Sequence, residues 1–189
     1  MPGGCEDKMI TKVFRCGKMD RRARRCTVAV FVLLAAVMVV VWYFWGDGGY
    51  VTAWTASFIV AVCAFFIMSV PRRIVVGETG IEIRCLVEVT HISYADLRSI
   101  RRLDATDMKK KYLVLGSYGF FGYYGFYRDG RTWETLKLYC TRWDDFVEIT
   151  DACEQRYVVS CPQTNTFLEA VNEAMRNFTG ETETGAGNA

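Results

Sequence analysis

The sequence predicts an N-terminal transmembrane α-helical hairpin followed by a mainly-β domain, a bent antiparallel sheet or partly open barrel capped by a C-terminal α-helix. Three observations carry this: uncharged runs of nineteen and twenty residues at 27–45 and 51–70, short alternating segments between 74 and 161, and one amphipathic stretch after Thr166. A chain of 189 residues has room for one ordinary domain and little more. Its charge is unevenly distributed. Residues 1–26 hold eight basic and three acidic side chains, residues 27–70 only Asp47, and residues 71–189 fifteen basic and seventeen acidic, for a net charge of +2.

The first run, TVAVFVLLAAVMVVVWYFW, would extend about 28 Å as a helix, enough to cross a hydrocarbon core. The second, VTAWTASFIVAVCAFFIMSV, stops at Pro71-Arg72-Arg73. In lipid every backbone polar group needs an internal partner, which keeps these valine-rich runs helical. Lys18, Arg21, Arg22, Arg24 and Arg25 precede the pair and Arg72 and Arg73 follow it, whereas Gly46–Tyr50 has no basic residue. The positive-inside rule then places both termini in the cytoplasm. Trp42, Tyr43, Trp45, Tyr50 and Trp54 would form an aromatic belt at the outer surface. A cleaved signal peptide fits less well, because the charged lead is long and no small-residue cleavage site follows the apolar run.

Further along, IVVGETGIEIRC reads as two strands around a tight turn in which Gly80 would take the positive φ. LVEVTHISY alternates, with Val87 and Val89 expected on one face against Glu88 and Thr90. TLKLYC places Leu136, Leu138 and Cys140 on one side, and FVEIT and RYVVSC add two strands joined by residues 151–155. Thr166 and Glu169 have capping-box spacing, and Phe167, Val171, Met175 and Phe178 recur on one helical face. The expected organisation is a cytoplasmic basic arm (1–26), the hairpin (27–70), a β domain (71–178) and a flexible tail (179–189).

Residues 74–176 resemble the bacterial pleckstrin-homology-like (PH) domains of small bacterial membrane proteins. The resemblance rests on GIEIR, ISYADLRSI, GSYGFFGYYGFYRDG, FVEIT, RYVVSCP and FLEAVNEAM taken together. It implies a seven-stranded, strongly bent sheet capped by the C-terminal helix, and no common activity.

The most unusual segment is 116–127, where glycine recurs every third residue and every other position from 118 onward is aromatic. It is neither a P-loop nor a dinucleotide fingerprint. Two readings stay open. The rings of Tyr118, Phe120, Phe121, Tyr123, Tyr124, Phe126 and Tyr127 either pack on the domain and the inner helix ends, or insert partly into the bilayer interface. Lys109, Lys110 and Lys111 form a basic cluster that is either a solvated loop or a weak contact with anionic headgroups. The first hairpin loop, Gly77–Gly80, carries Glu78 where a phosphate ligand would require a cation.

Catalysis finds little support. His91 is the single histidine and lies in an alternating strand, and Asp144, Asp145 and Glu148 read as a solvated hairpin end. Trp133 and Trp143 read as core or edge aromatics. The eight cysteines contain no CxxC pair, which points to free thiols and away from zinc. The negative domain charge argues against nucleic acid. No cofactor or metal is expected. The expectation is therefore a multi-pass bacterial inner-membrane protein, integral to the lipid bilayer. Its PH-like domain would be a non-catalytic adaptor for a protein partner or a second copy. The alternative is a membrane-surface sensor acting through 116–127 and Lys109–Lys111.

Overall fold

The computed structural model describes residues 12–45 and 49–186. Helix α1 (Arg21–Trp45) begins six residues before the uncharged run. Asp20 caps it: Asp20 Oδ1 accepts from the Ala23 backbone N–H at 2.6 Å, supplying an acceptor to a first-turn donor that the helix itself cannot satisfy. Helix α2 (Tyr50–Met68) follows. Both are long and apolar enough to cross a membrane, and almost none of either is buried within the protein. Pro71, which cannot continue a helix, opens the next strand three residues after Met68, so no linker separates the second apolar helix from the β domain.

A four-stranded antiparallel sheet comes first, in the order β1 (Lys12–Arg15), β2 (Pro71–Val76), β3 (Gly80–Cys85), β4 (Val89–Ser93). Strand β1 lies within the segment expected to be a free basic arm. It pairs antiparallel with β2, Lys12 opposite Val76 and Arg15 opposite Arg73. Its period of two points Phe14 inward, 6% exposed, with its ring edge-on to Phe167 at 5.3 Å, while Val13 faces out. Burial of one phenylalanine contributes about 1.5–3 kcal/mol, which adds to the β1–β2 ladder in holding this four-residue strand on the sheet edge.

Two local expectations are corrected here. Gly80 does not adopt positive φ; its need is close approach, because a Cβ there would meet the Ile92 carbonyl. Strand β4 faces the other way from its apparent alternation. Val87 and Val89 are exposed, Ile92 is buried opposite Ile81, and Thr90 Oγ1 lies 3.1 Å from Tyr139 Oη. The β3–β4 turn, closed by Cys85 N–H to the Glu88 carbonyl, sets this register and overrides the local pattern.

After a single 3-10 turn at Tyr94–Asp96, the second sheet has the order β5 (Leu97–Leu103), β9 (Phe146–Asp151), β10 (Arg156–Ser160), β8 (Thr135–Cys140), β7 (Tyr123–Asp129), β6 (Lys111–Tyr118). Helix α3 (Ala105–Met108) connects β5 to β6. All neighbours are antiparallel except β8 and β10, because the chain skips one strand position after β8 and the β9–β10 hairpin returns into the gap. The described residues thus form two sheets of four and six strands where the resemblance implied one of seven.

The six-stranded sheet carries a core on each face. Val147, Ile149 and Val159 pack towards the four-stranded sheet and helix α4 (Thr164–Ala186), whose Phe167 and Val171 are fully buried. Leu136, Leu138, Cys140 and Val158 pack on the other face with Tyr123, Tyr127 and Met108. Helix α4 starts at Thr164, whose hydroxyl donates to the Cys161 carbonyl at 2.7 Å, so Thr166 lies inside the first turn and not at the cap. It also runs through the segment expected as a tail from 179. Thr179 Oγ1 donates to the Met175 carbonyl at 2.9 Å within this last stretch. Residues 187–189 of that expected tail lie outside the described residues.

Candidate functional site

The glycine-aromatic segment is the β6–β7 hairpin. Tyr118 pairs with Tyr123, and Gly119–Gly122 form the turn, closed by Gly119 N–H to the Gly122 carbonyl at 2.8 Å and braced by Ser117 Oγ donating to the Phe120 carbonyl at 2.6 Å. Gly116 (φ +138°) and Gly125 (φ +113°) are cross-strand partners, and a Cβ on either would overlap the opposite backbone. Phe121 itself sits at φ +59°, a conformation that costs a non-glycine residue about 1 kcal/mol or more.

The turn docks against the ends of both apolar helices nearest the β domain. The Phe121 N–H donates to Thr27 Oγ1 at 2.9 Å, and the Thr27 hydroxyl donates to the Ala23 carbonyl at 2.8 Å. The Phe120 ring lies 5.3 Å from Phe66 of α2 and 5.9 Å from Phe31 of α1, and Phe121 lies 5.9 Å from Phe31. Tyr124 Oη donates to the Phe66 carbonyl at 2.9 Å. Tyr123 Oη donates to Asp20 Oδ2 at 3.2 Å, so one carboxylate both caps α1 and receives a core tyrosine. Burial, with the Asp20 charge beside it, raises the Tyr123 pKa and keeps the phenol a donor.

These contacts divide the aromatic candidates. Tyr123, Tyr124 and Tyr127 are buried, at 0%, 3% and 0% exposure, which sets these three with the first of the two open readings, packing on the domain and the helix ends. The period of two on β7 puts Tyr123 and Tyr127 in the core against α3 and Tyr124 with Phe126 on the opposite face. Phe120 and Phe121 are half-buried against the helices, Tyr118 stacks on Trp143 at 5.2 Å, and Phe126 lies 5.4 Å from Lys137 Nζ. Trp133, expected as core or edge, is exposed.

Lys109 and Lys110 are exposed, whereas Lys111 is 6% exposed, its side chain facing inward from the first position of β6. All three lie at the opposite end of β6 from the docked turn, about 23 Å away at 3.3 Å per residue. Arg21, Arg22, Arg24 and Arg25 are exposed in the first turns of α1, and Arg72 and Arg73 on β2, all at the end of the helices where the domain sits.

A family model of the bacterial PH domain matches residues 72–175, more than half of the chain. The chain belongs to that family. No curated protein and no solved structure shows significant similarity to it. Bacterial PH domains are generally non-catalytic modules of the interaction or membrane-binding type.

Three features of this bacterial PH domain bear on what it can bind. Its first hairpin turn presents exposed Glu78 and no cation. Among the described residues, strand β6 is an edge whose outer hydrogen-bonding side has no partner strand, with Tyr112, Leu113, Val114 and Leu115 exposed at 65%, 40%, 57% and 68%. Between α2 and the six-stranded sheet lies an apolar cavity of about 200 Å3 lined by Phe65, Phe66, Leu115, Tyr124 and Phe126, with Lys137 at its wall. The carboxylate cluster expected as a solvated hairpin end is dispersed. Asp144 pairs with Arg142 and Asp145 with Arg102, whereas Glu148 is 1% exposed and accepts from Arg101 Nε and Arg156 Nε at 2.5 Å each. His91 is exposed on β4.

Sequence reasoning missed β1, Asp20, Thr27 and the burial of Glu148. An Asp directly before Arg21-Arg22-Ala23 is an N-cap signal that could have moved the start of α1 forward. Nothing local marks the contacts of Thr27 with Phe121, 94 residues away, or of Glu148 with Arg101, 47 residues away.

Proposed function

We propose that this protein is a non-catalytic adaptor integral to the bacterial inner membrane. Both termini are cytoplasmic, and its PH domain is held at the inner leaflet to bind a protein partner or a second copy of itself. The observation that carries the reading is the β6 edge: four consecutive large apolar side chains exposed beside unpaired backbone donors and acceptors. Such an edge adds a strand from another chain, main-chain bonds supplying affinity and alternate side chains specificity. The docked turn supports it by fixing the direction in which the edge points relative to the anchor.

The experiment places a photo-crosslinking amino acid at Val114 in cells. A discrete adduct, either the doubled mass of this chain or one reproducible heavier species, is expected, and Val114→Pro should abolish the corresponding assembly in detergent. A strictly monomeric solubilised protein that gives no adduct from Val114 overturns the reading. The topology is checked separately by a reporter after Ala189, which should be active only on the cytoplasmic side.

The membrane-surface-sensor alternative draws less support. The faces of Phe120 and Phe121 are occupied by Phe31 and Phe66, and Lys109 and Lys110 lie at the wrong end of β6. Liposome binding by the protein that rises with anionic lipid and falls with salt would favour it.

A further inference from the structure

At the end of β6 remote from α1 and α2, a cavity of about 410 Å3 opens between α3, the start of β6 and the β7–β8 turn. Arg101, Lys111, Asp129, Arg131, Glu134 and Arg156 line it. The volume falls in the range of small-molecule sites. Lys111 is 6% exposed, and its Nζ is buried without a hydrogen-bond partner. Leaving a buried polar group unpaired costs free energy, and more when it is charged.

The neighbouring carboxylates are committed elsewhere. Glu148 is held by Arg101 and Arg156; Glu134 Oε2 accepts from Arg156 at 2.9 Å; Asp129 lies 3.7 Å from Arg156 and accepts the Arg131 backbone N–H at 2.9 Å. The Arg131 side chain, exposed at the rim, makes no ion pair among the described residues. Two cations therefore border one cavity with donors unspent. An ammonium has three donors and no acceptor, and a guanidinium five, so the complement is a group that only accepts and carries negative charge.

We propose that this cavity binds a small molecule through a single oxyanion, a carboxylate or a phosphate group, held by Lys111 Nζ with Arg131 at the rim. Glu134 and Asp107 on the same walls would repel a polyanion, which restricts the ligand to modest charge. Burial lowers the Lys111 pKa, partly offset by Glu148 and Asp129, and a bound oxyanion would restore the charged form. The site lies on the opposite end of β6 from the membrane-facing turn and is independent of the β6 edge, so adaptor and ligand readings stand or fall separately.

The test is calorimetric titration of the full-length protein in detergent with sodium phosphate and, in a second arm, sodium acetate, at ionic strength fixed with sodium chloride. Saturable one-site binding of at least one anion is expected, and the arm that binds identifies the ligand group. Lys111→Met should weaken it more than tenfold and Arg131→Gln several-fold. Heats indistinguishable from the chloride-matched blank for both anions overturn the proposal, as does undiminished binding in Lys111→Met. Should that variant not fold, Arg131→Gln, altered only at an exposed side chain, decides: unchanged affinity overturns the proposal.

Discussion

The backbone N–H of Phe121 reaches Thr27 Oγ1 at 2.9 Å across 94 residues of chain, joining the tip of a β hairpin to the domain-side end of the first apolar helix. That bond is satisfied only while the domain is docked. Thr27→Val should leave the part-buried N–H without its acceptor at a cost of about 1 kcal/mol, whereas Thr27→Ser keeps the oxygen. Thermal unfolding in detergent should show the drop for Val and little change for Ser. Chymotryptic cleavage at residues 118–124 should accelerate only in Val.

Gly116 and Gly125 test the hairpin behind the tip. Each has positive φ and faces the opposite backbone without room for a Cβ. Gly116→Ala or Gly125→Ala should cost roughly 1–3 kcal/mol or more from strain alone and open the β6–β7 pairing. Amide exchange is the measurement: protection should fall at Leu115–Tyr118 and Tyr123–Tyr127 while β3 and β9 keep theirs.

Glu148 is a buried carboxylate between two arginines. Glu148→Gln removes the charge that Arg101 and Arg156 share and leaves mostly buried Arg156 with only Glu134 and Asp129, so denaturant unfolding should show a loss of up to about 3–5 kcal/mol. Arg101→Gln should cost much less, because that side chain is 62% exposed and solvent screens the pair.

Thiol chemistry reports the fold at low resolution. Burial pushes the Cys16 and Cys85 thiols up to about 12, the neighbouring Cys161 and Cys85 adding for Cys16 and Glu88 for Cys85, and burial raises Cys140 and Cys161 as well. A thiol with a pKa near 12 is about one part in ten thousand thiolate at pH 8, against roughly a quarter for an ordinary cysteine. Among these residues and exposed Cys153, maleimide at pH 8 should modify Cys153 first, and the others only on denaturation. Mass mapping of the modified peptides checks the order.

Much of the architecture was legible because it depends on near neighbours. Absence of charge over nineteen and twenty residues marks two helices whatever surrounds them, and period two marks strands such as Leu136–Leu138–Cys140, whose buried face came out as read. Val87 and Val89 show the limit: their alternation is real, but the Cys85–Glu88 turn that holds Val87 and immediately precedes Val89 chose the face.

The amino-acid order by itself determined that two apolar helices precede a mainly-β module, since desolvation and backbone satisfaction act residue by residue along the chain. Only the tertiary structure decided that Phe14 belongs to a sheet edge, that Phe120 and Phe121 meet Phe31 and Phe66, and that Lys111 is buried beside the Glu148 cluster. Those are encounters between segments tens of residues apart. Their outcome rests on shape and charge complementarity between finished elements, which no local window of sequence contains.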